Sequence, residues 1–249
     1  MIDKRSVTCC LMFAVGTAGC DLQLPGKPNP LDRPVPPNKI MSFDAIYGRN
    51  CAGCHGKDGK LGPAPPLNDQ LFRAIVSASE LEKVLNRGRP GTPMPPFAEA
   101  NGGPLTPVQI QLMISEIKGL GISPSWGQVP SAPPSAPPYA LPEASGNEQN
   151  GAKLFARNCS ACHGKDGEGI LDKGKRKNKI NEPAFLGLIS NQALRRIMIT
   201  GRGDLMMPSY ADDMQRPDDF QPLNSQEITD LGALLASWRK EKSAATTKQ

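Results

Sequence analysis

The sequence predicts an all-α protein built from two copies of one helical domain joined by a proline-rich linker. The first observation is an internal repeat, because residues 43–60 align without a gap with 151–168, and 77–97 align with 190–210. The second is the spacing of apolar residues, which follows the period of a helix and not the alternation of a strand. The third is residues 123–142, where prolines crowd a stretch without apolar periodicity. Such an arrangement indicates duplication of one fold.

Each copy is predicted to contain a helix before a cysteine motif, a second helix that ends at glycine, and a last helix. The first helices read FDAIYGRN and GAKLFARN, and the second read SASELEKVLNRG and ISNQALRRIMITG. Residue pairs with capping-box spacing begin the second helix of the first copy and both last helices. These pairs are Ser79 with Glu82, Thr106 with Gln109, and Asn224 with Glu227.

Composition limits the classes of function. The net charge is +5, and the run KGKRKNK at 173–179 supplies much of it. We interpret this run as a solvated loop, with a docking surface beside the second cysteine motif as the alternative. Positive charge confined to one loop, without interleaved aromatic residues, argues against nucleic-acid binding. Aromatic residues are only 5% of the chain, so a large flat cofactor buried in each copy would supply missing apolar volume.

The first 19 residues have the pattern of a secretory signal peptide. Two basic residues precede an apolar stretch at 7–18 that is too short to span a bilayer. The segment ends TAGC, which resembles the lipobox of bacterial lipoproteins, so Cys20 is predicted to be lipidated and to anchor the chain at the membrane. The alternative is ordinary cleavage after Ala18, which leaves Cys20 as a free thiol. The predicted organisation is a signal peptide at 1–19, a lipid-anchored proline-rich tether at 20–40, a first domain at 41–122, the linker at 123–146, a second domain at 147–240 and a flexible tail at 241–249.

Each copy carries the motif C-x-x-C-H, within RNCAGCHGKDGK at 49–60 and RNCSACHGKDGE at 157–168. A closed zinc site needs four ligands, and one copy offers only two cysteines and a histidine whose side chain points elsewhere. A thioredoxin-type dithiol expects a strand–helix context and gains nothing from the histidine. Covalent haem attachment uses every residue, because the two thiols add to the porphyrin vinyl groups and the imidazole becomes the proximal iron ligand. The predicted haem-binding residues are Cys51, Cys54, His55, Cys159, Cys162 and His163.

Methionine is the predicted sixth iron ligand. The chain has only two histidines, and both belong to the cysteine motifs. In the repeat alignment GRPGTPMPPF lies over GRGDLMMPSY, so that Met94 matches Met207. Met206 matches Pro93 instead, and we interpret it as core filler rather than as a ligand. Thioether ligation raises the reduction potential relative to two histidines, and it leaves no open position on the iron.

These motifs resemble class I c-type cytochromes fused in tandem. The resemblance rests on CAGCH…GPAPPL…GTPMPPF and CSACH…NEPAFL…LMMP, and it covers about two thirds of the chain. It implies haem c on the four motif cysteines, with proximal His55 and His163 and distal Met94 and Met207.

The resemblance also implies a second group of residues around each haem. A proline carbonyl is expected to accept the remaining imidazole N–H, and Pro63 or Pro66 fits this role in the first copy and Pro183 in the second. Arg89 and Arg202 align with each other. They are expected either to pair with haem propionates or to be surface arginines.

The resemblance implies an electron carrier with two covalently attached haem c groups and no catalytic residue. The expected partners are redox proteins, such as a quinol-oxidising complex, a terminal oxidase or a reaction centre, on the periplasmic side of a bacterial membrane. A soluble periplasmic protein is the alternative to a lipid-anchored one. The chain is expected to act either as a tethered carrier or as a fixed complex subunit. The alternative function is a dihaem enzyme, such as a peroxidase or a thiosulfate-oxidising cytochrome, although the matched methionines argue against an open iron.

Overall fold

A computed structural model describes residues 34–120, 124–214 and 216–246. The predicted signal peptide, Cys20 and most of the predicted tether lie outside these residues. The described residues from Pro37 onward belong to one compact unit. None of the helices in the described ranges is both long enough and apolar enough to cross a membrane.

The first repeat is a cluster of helices around an apolar core. Its helices are α1 (Phe43–Asn50), α2 (Ala52–His55), α3 (Gln70–Ile75), α4 (Ala78–Arg87) and α5 (Pro107–Lys118). The helix α5 presents one apolar face to this core, at the spacing that its sequence predicts. The buried apolar side chains include Phe43, Ile46, Phe72, Leu81, Leu85, Ile110, Met113, Ile114 and Ile117.

The second repeat follows the same order of helices. They are α6 (Glu148–Asn158), α7 (Ser160–His163), α8 (Pro183–Leu188), α9 (Asn191–Thr200) and α10 (Ser225–Thr246), the last of which extends into the range predicted as a tail. The buried apolar side chains include Phe155, Leu186, Leu194, Ile199, Ile228, Leu231 and Leu234. The all-α prediction is confirmed.

A short antiparallel hairpin interrupts the second repeat, where the sequence predicts no strand. Strands β1 (Ile170–Asp172) and β2 (Lys175–Lys177) pair through a two-residue turn. Both turn residues have positive φ, 48° at Lys173 and 75° at Gly174, as the turns favoured in tight hairpins require. The hairpin lies where the second copy is longer than the first, and its turn and second strand carry most of the basic run.

The helix starts confirm two of the three predicted capping boxes. Thr106 and Gln109 cap α5 reciprocally, with Pro107 at the first helical position, and Asn224 and Glu227 exchange the same two hydrogen bonds before α10. The prediction of a capping box formed by Ser79 and Glu82 is wrong. Ser77 has extended backbone and accepts from the Glu80 amide, whereas Ser79 already lies inside the first turn of α4.

The α6 and α10 helices pack closely through a glycine and a buried aspartate. A Cβ on Gly151 would lie 2.2 Å from the Asp230 carbonyl oxygen, so only glycine permits this approach. The Asp230 carboxylate accepts hydrogen bonds from the Asn147 amide and from the Asn150 and Gln226 side chains. Burial opposes its charge, but these hydrogen bonds outweigh burial and hold the Asp230 pKa below its usual range.

Two buried arginines fix the proline-rich segment along both repeats. Arg73 of α3 donates to the carbonyl oxygens of Trp126 and Gly127, at 2.8 and 2.7 Å. Arg195 of α9 donates through two nitrogens to the Pro138 carbonyl oxygen, at 3.0 and 2.9 Å. The segment is therefore held by side chains of both repeats as well as by chain connectivity.

Candidate haem sites

Each C-x-x-C-H motif forms one short helical turn directly after a longer helix. The α1 helix ends at Asn50, and Cys51 is its C-cap. The His55 amide then donates to the Cys51 carbonyl oxygen at 2.9 Å. Cys159 and His163 repeat the arrangement at 3.0 Å. One helical turn therefore carries both thiols and the imidazole of each motif. Within the described residues none of the four motif cysteines forms a disulfide.

The His55 imidazole is buried and oriented by a backbone carbonyl. It is 7% exposed, and its Nδ1 lies 2.8 Å from the Pro65 carbonyl oxygen. Donation from Nδ1 leaves Nε2 free to bind a metal. The prediction of Pro63 or Pro66 is wrong, because the Ala64 amide ties this loop to Cys54 and brings the Pro65 carbonyl to the ring. Burial lowers the His55 pKa to about 4, which keeps the ring neutral.

The His163 imidazole has an equivalent partner from a different element. Its Nδ1 lies 2.8 Å from the Asn178 carbonyl oxygen, just after β2. The prediction of Pro183 is wrong, because Pro183 begins α8 while the inserted hairpin brings Asn178 to the histidine. Asn178 has φ 55°, a left-handed conformation that asparagine tolerates better than most residues. The insertion therefore supplies the carbonyl that the first repeat takes from its proline-rich loop.

Met94 and Met207 occupy the same position in two equivalent turns. Each turn follows a helix that ends at a glycine with positive φ, 65° at Gly88 and 69° at Gly201. The next amide then donates to the methionine carbonyl oxygen, at 2.9 Å for Met94 and 3.0 Å for Met207. Both methionine side chains are half-buried, and Met94 packs against the first core.

Met206 does not pack in the core. Its side chain is 77% exposed, and its φ of 62° turns the chain outward. The interpretation of Met206 as core filler is therefore wrong, while Met207 remains the methionine that matches Met94.

The two aligned arginines lie between the repeats rather than on the surface. Arg89 is half-buried and donates to the Tyr139 hydroxyl at 2.8 Å. Arg202 forms two hydrogen bonds with Asp204 and donates to the Gly62 carbonyl oxygen at 3.2 Å. The alternative of surface arginines is therefore wrong, whereas pairing with propionates stays a prediction.

A third arginine, Arg196, was not predicted from the sequence as a residue of the site. It lies on α9, is 5% exposed, and stacks on the Phe72 ring of the first repeat with its guanidinium 3.3 Å from the ring centroid. Its Nη2 donates to the Pro66 carbonyl oxygen. The available signal was an arginine three and four residues before Ile199 and Thr200, on the buried face of an otherwise apolar helix.

The residues present fit haem c better than zinc. No group of three or more histidine, cysteine, aspartate or glutamate side chains could hold a metal ion within the described ranges. Each histidine instead has one nitrogen tied to a carbonyl and the other free, beside two thiols on the same helical turn. Arg196 adds an unpartnered buried Nε, a donor that a carboxylate-bearing ligand would satisfy.

Comparison with known sequence families gives a separate match for each repeat. The family described as "Cytochrome C oxidase, cbb3-type, subunit III" matches residues 38–115. The family described as "Cytochrome c" matches residues 148–238. Together the two matches cover about two thirds of the chain. The chain is a tandem class I c-type cytochrome. It carries two covalently attached haem c groups.

Relatives of this cytochrome are subunits of cbb3-type oxidases. The Cbb3-type cytochrome c oxidase subunit FixP of Sinorhizobium medicae is 29% identical over 54% of this chain and 42% of its own length. FixP of Rhizobium meliloti is 30% identical over 54% and 42%. Subunit CcoP of Rubrivivax gelatinosus is 23% identical over 84% of this chain and 58% of its own length. The cytochrome thus spans only about two fifths to three fifths of these relatives.

One solved structure overlaps most of the chain. A chain of the reducing HAO-like protein complex of Kuenenia stuttgartiensis is 18% identical, with a TM-score of 0.44, over 83% of this chain and 99% of that chain.

Proposed function

We propose that this cytochrome transfers electrons between redox proteins through two haem sites of the same design. The first haem is held by Cys51 and Cys54, with His55 and Met94 as iron ligands. The second uses the equivalent residues Cys159, Cys162, His163 and Met207. When bound, each haem supplies a one-electron Fe(III)/Fe(II) couple.

The observation that supports this proposal is the duplication of one arrangement, an oriented histidine and a methionine turn, in both repeats. In both repeats a carbonyl orients the imidazole, and a turn after a glycine holds the methionine by its backbone. Ligands on both faces of an iron leave no position for a substrate. A dihaem peroxidase would need an open position on one iron, so the duplicated methionine turn favours electron transfer over an enzyme.

Direct contacts between the two sites support transfer within one molecule. Arg202 and Asp204 precede Met207 in its turn, and they bond to the Gly62 carbonyl and the Leu61 amide in the loop that orients His55. The methionine turn of one site therefore rests on the histidine loop of the other. Such packing supports one unit with two haems rather than two domains that move independently.

The similarity to cbb3-type oxidase subunits supports a terminal oxidase as the electron acceptor. We place the cytochrome on the periplasmic side of a bacterial membrane, with Cys20 as its lipid anchor. The exposed hairpin turn supports docking of an acidic redox partner, because the same hairpin leads into Asn178 at the second site. Charge-steered contacts of this kind suit transient electron transfer.

Mass spectrometry of the purified protein, together with oxidised and reduced absorption spectra, tests the proposal. We expect two covalent haems per chain and low-spin spectra with the methionine-to-iron band in the oxidised form. High-spin features that respond to peroxide would instead support the enzyme.

A further inference from the structure

Arg196 is a buried cation without a counter-ion. No carboxylate lies within salt-bridge distance of it in the described part of the chain, and its Nε has no hydrogen-bond partner. Stacking on Phe72 and one bond to Pro66 satisfy only part of the guanidinium. A buried charge left in this state is strongly unfavourable, so proteins normally pair it.

Two further arginines increase the positive charge around Arg196. Burial is the main cause that lowers the Arg196 pKa, to about 9; the charges of Arg89 and Arg202 act in the same direction, and Tyr139 and Asp69 oppose them. The Arg202 charge is balanced by Asp204, whereas the Arg89 side chain bonds to the neutral Tyr139 hydroxyl. The cluster formed by Arg89, Arg196 and Arg202 therefore has more positive than negative charge.

The arginine cluster lies against the first haem site. Pro66, which accepts from Arg196, directly follows Pro65, which accepts from His55. Arg202 also reaches the loop that orients His55, because it donates to the Gly62 carbonyl oxygen at 3.2 Å. The excess positive charge is therefore next to the proximal histidine of the first repeat.

The second repeat supplies the central member of this cluster, and the first repeat has no counterpart. By the alignment of 77–97 with 190–210, the position equivalent to Arg196 is Lys83, which is exposed. The duplication thus placed a buried cation of one repeat at the haem site of the other.

We propose that Arg196 binds a propionate carboxylate of the first haem across the repeat interface and raises that haem's reduction potential. The inference rests on the proposed dihaem function. A positive charge near an iron favours the form with one more electron, so the second repeat tunes the potential of the first. Arg196 acts through the carboxylate and is a positioning residue rather than an iron ligand.

Spectroelectrochemical titration of the haem-loaded full chain tests this assignment. Each site takes one electron from the mediator. Met94→His identifies the potential of the first site, because bis-histidine ligation lowers that potential. At a fixed applied potential, we expect Arg196→Gln to raise the ratio of oxidised to reduced first haem about tenfold. This change corresponds to a reduction potential that is lower by about 59 mV for one electron. Arg196→Lys should retain most of the potential, because it keeps the charge.

Lys83→Gln is the matched control, because it removes a cation from the equivalent but exposed position. It should leave both potentials unchanged. The proposal is overturned if Arg196→Gln shifts neither potential, or shifts both by the same amount. If Arg196→Gln fails to fold, Arg89→Gln provides the second test. A lower reduction potential of the first haem supports the role of the arginine cluster, and unchanged potentials overturn the proposal. A wild-type chain that takes up fewer than two electrons would refute the dihaem function itself, whereas two-electron uptake with unshifted potentials in Arg196→Gln refutes only the role of Arg196.

Discussion

Replacement of Gly88 by alanine should release Met94 from the first haem while leaving the haem attached. Gly88 ends α4 with φ 65° and ψ −158°, a conformation that is essentially restricted to glycine. An added Cβ would lie 2.5 Å from the Met94 carbonyl oxygen and 2.5 Å from the Pro95 carbonyl carbon. Both contacts are with backbone, so the turn itself must move.

The size of the effect follows from two costs. The backbone strain is about 1–3 kcal/mol, and the overpacking is about 1–3 kcal/mol. The closed methionine turn therefore loses about 2–6 kcal/mol relative to an open one. Since about 1.4 kcal/mol is a tenfold change in an equilibrium, the ratio of closed to open turns should fall by at least about 30-fold.

Gly91→Ala provides the control within the same turn. Gly91 also has positive φ, 74°, but an added Cβ would meet nothing within 4 Å. We expect Gly88→Ala to halve the methionine-to-iron absorption band per protein, because one of two sites loses its ligand, and Gly91→Ala to preserve it. Full retention of the band in Gly88→Ala, with normal folding, would refute the assignment of this turn to iron ligation.

Three further predictions concern stability and docking. Met113→Ala, at a fully buried position, should lower the free energy of unfolding by about 2–5 kcal/mol in urea titrations; a loss below the cost of a surface substitution would argue against this core. Asp230→Asn should cost about 1.5–3 kcal/mol at pH 7. Because the folded Asp230 pKa is depressed, this contribution is complete above the ordinary aspartate pKa near ~3.9 and disappears as pH falls through the folded pKa, so unfolding curves of wild type and variant should converge in acid. Joint replacement of Lys173 and Lys175 by glutamine should slow electron transfer to an acidic partner about tenfold at low salt and leave the rate unchanged at high salt. Stopped-flow rates that depend neither on these replacements nor on salt would exclude docking at the hairpin.

Sequence reasoning worked where the relevant interaction is local. The Thr106 and Asn224 caps involve residues three apart, and the cysteine motifs occupy single helical turns, so the pattern contains all of the geometry. The prediction that Ser79 caps α4 was wrong for a related reason. Two serines lie two residues apart before α4, and local spacing could not decide which one has the extended backbone that a cap requires.

The partners of the histidines and Arg196 depend on contacts between distant segments. The sequence does not distinguish Pro63, Pro65 and Pro66 as the residue whose carbonyl accepts from His55, and the fold of one loop decides among them. Arg196 and Pro66 are 130 positions apart, and their contact exists only because the two repeats pack together. No periodicity within either copy predicts a contact of this kind, because the interface between copies is absent from each copy taken alone.

Spectroelectrochemical titration of three proteins tests the central claim most directly: the wild type, Met94→His and Met207→His. In the wild type we expect two covalent haems and the uptake of two electrons per chain. Each variant should lower one potential and leave the other in place, because each methionine belongs to a separate site. Uptake of only one electron per chain in the wild type, or variants that leave both potentials unchanged, would contradict the assignment of one His/Met haem to each repeat.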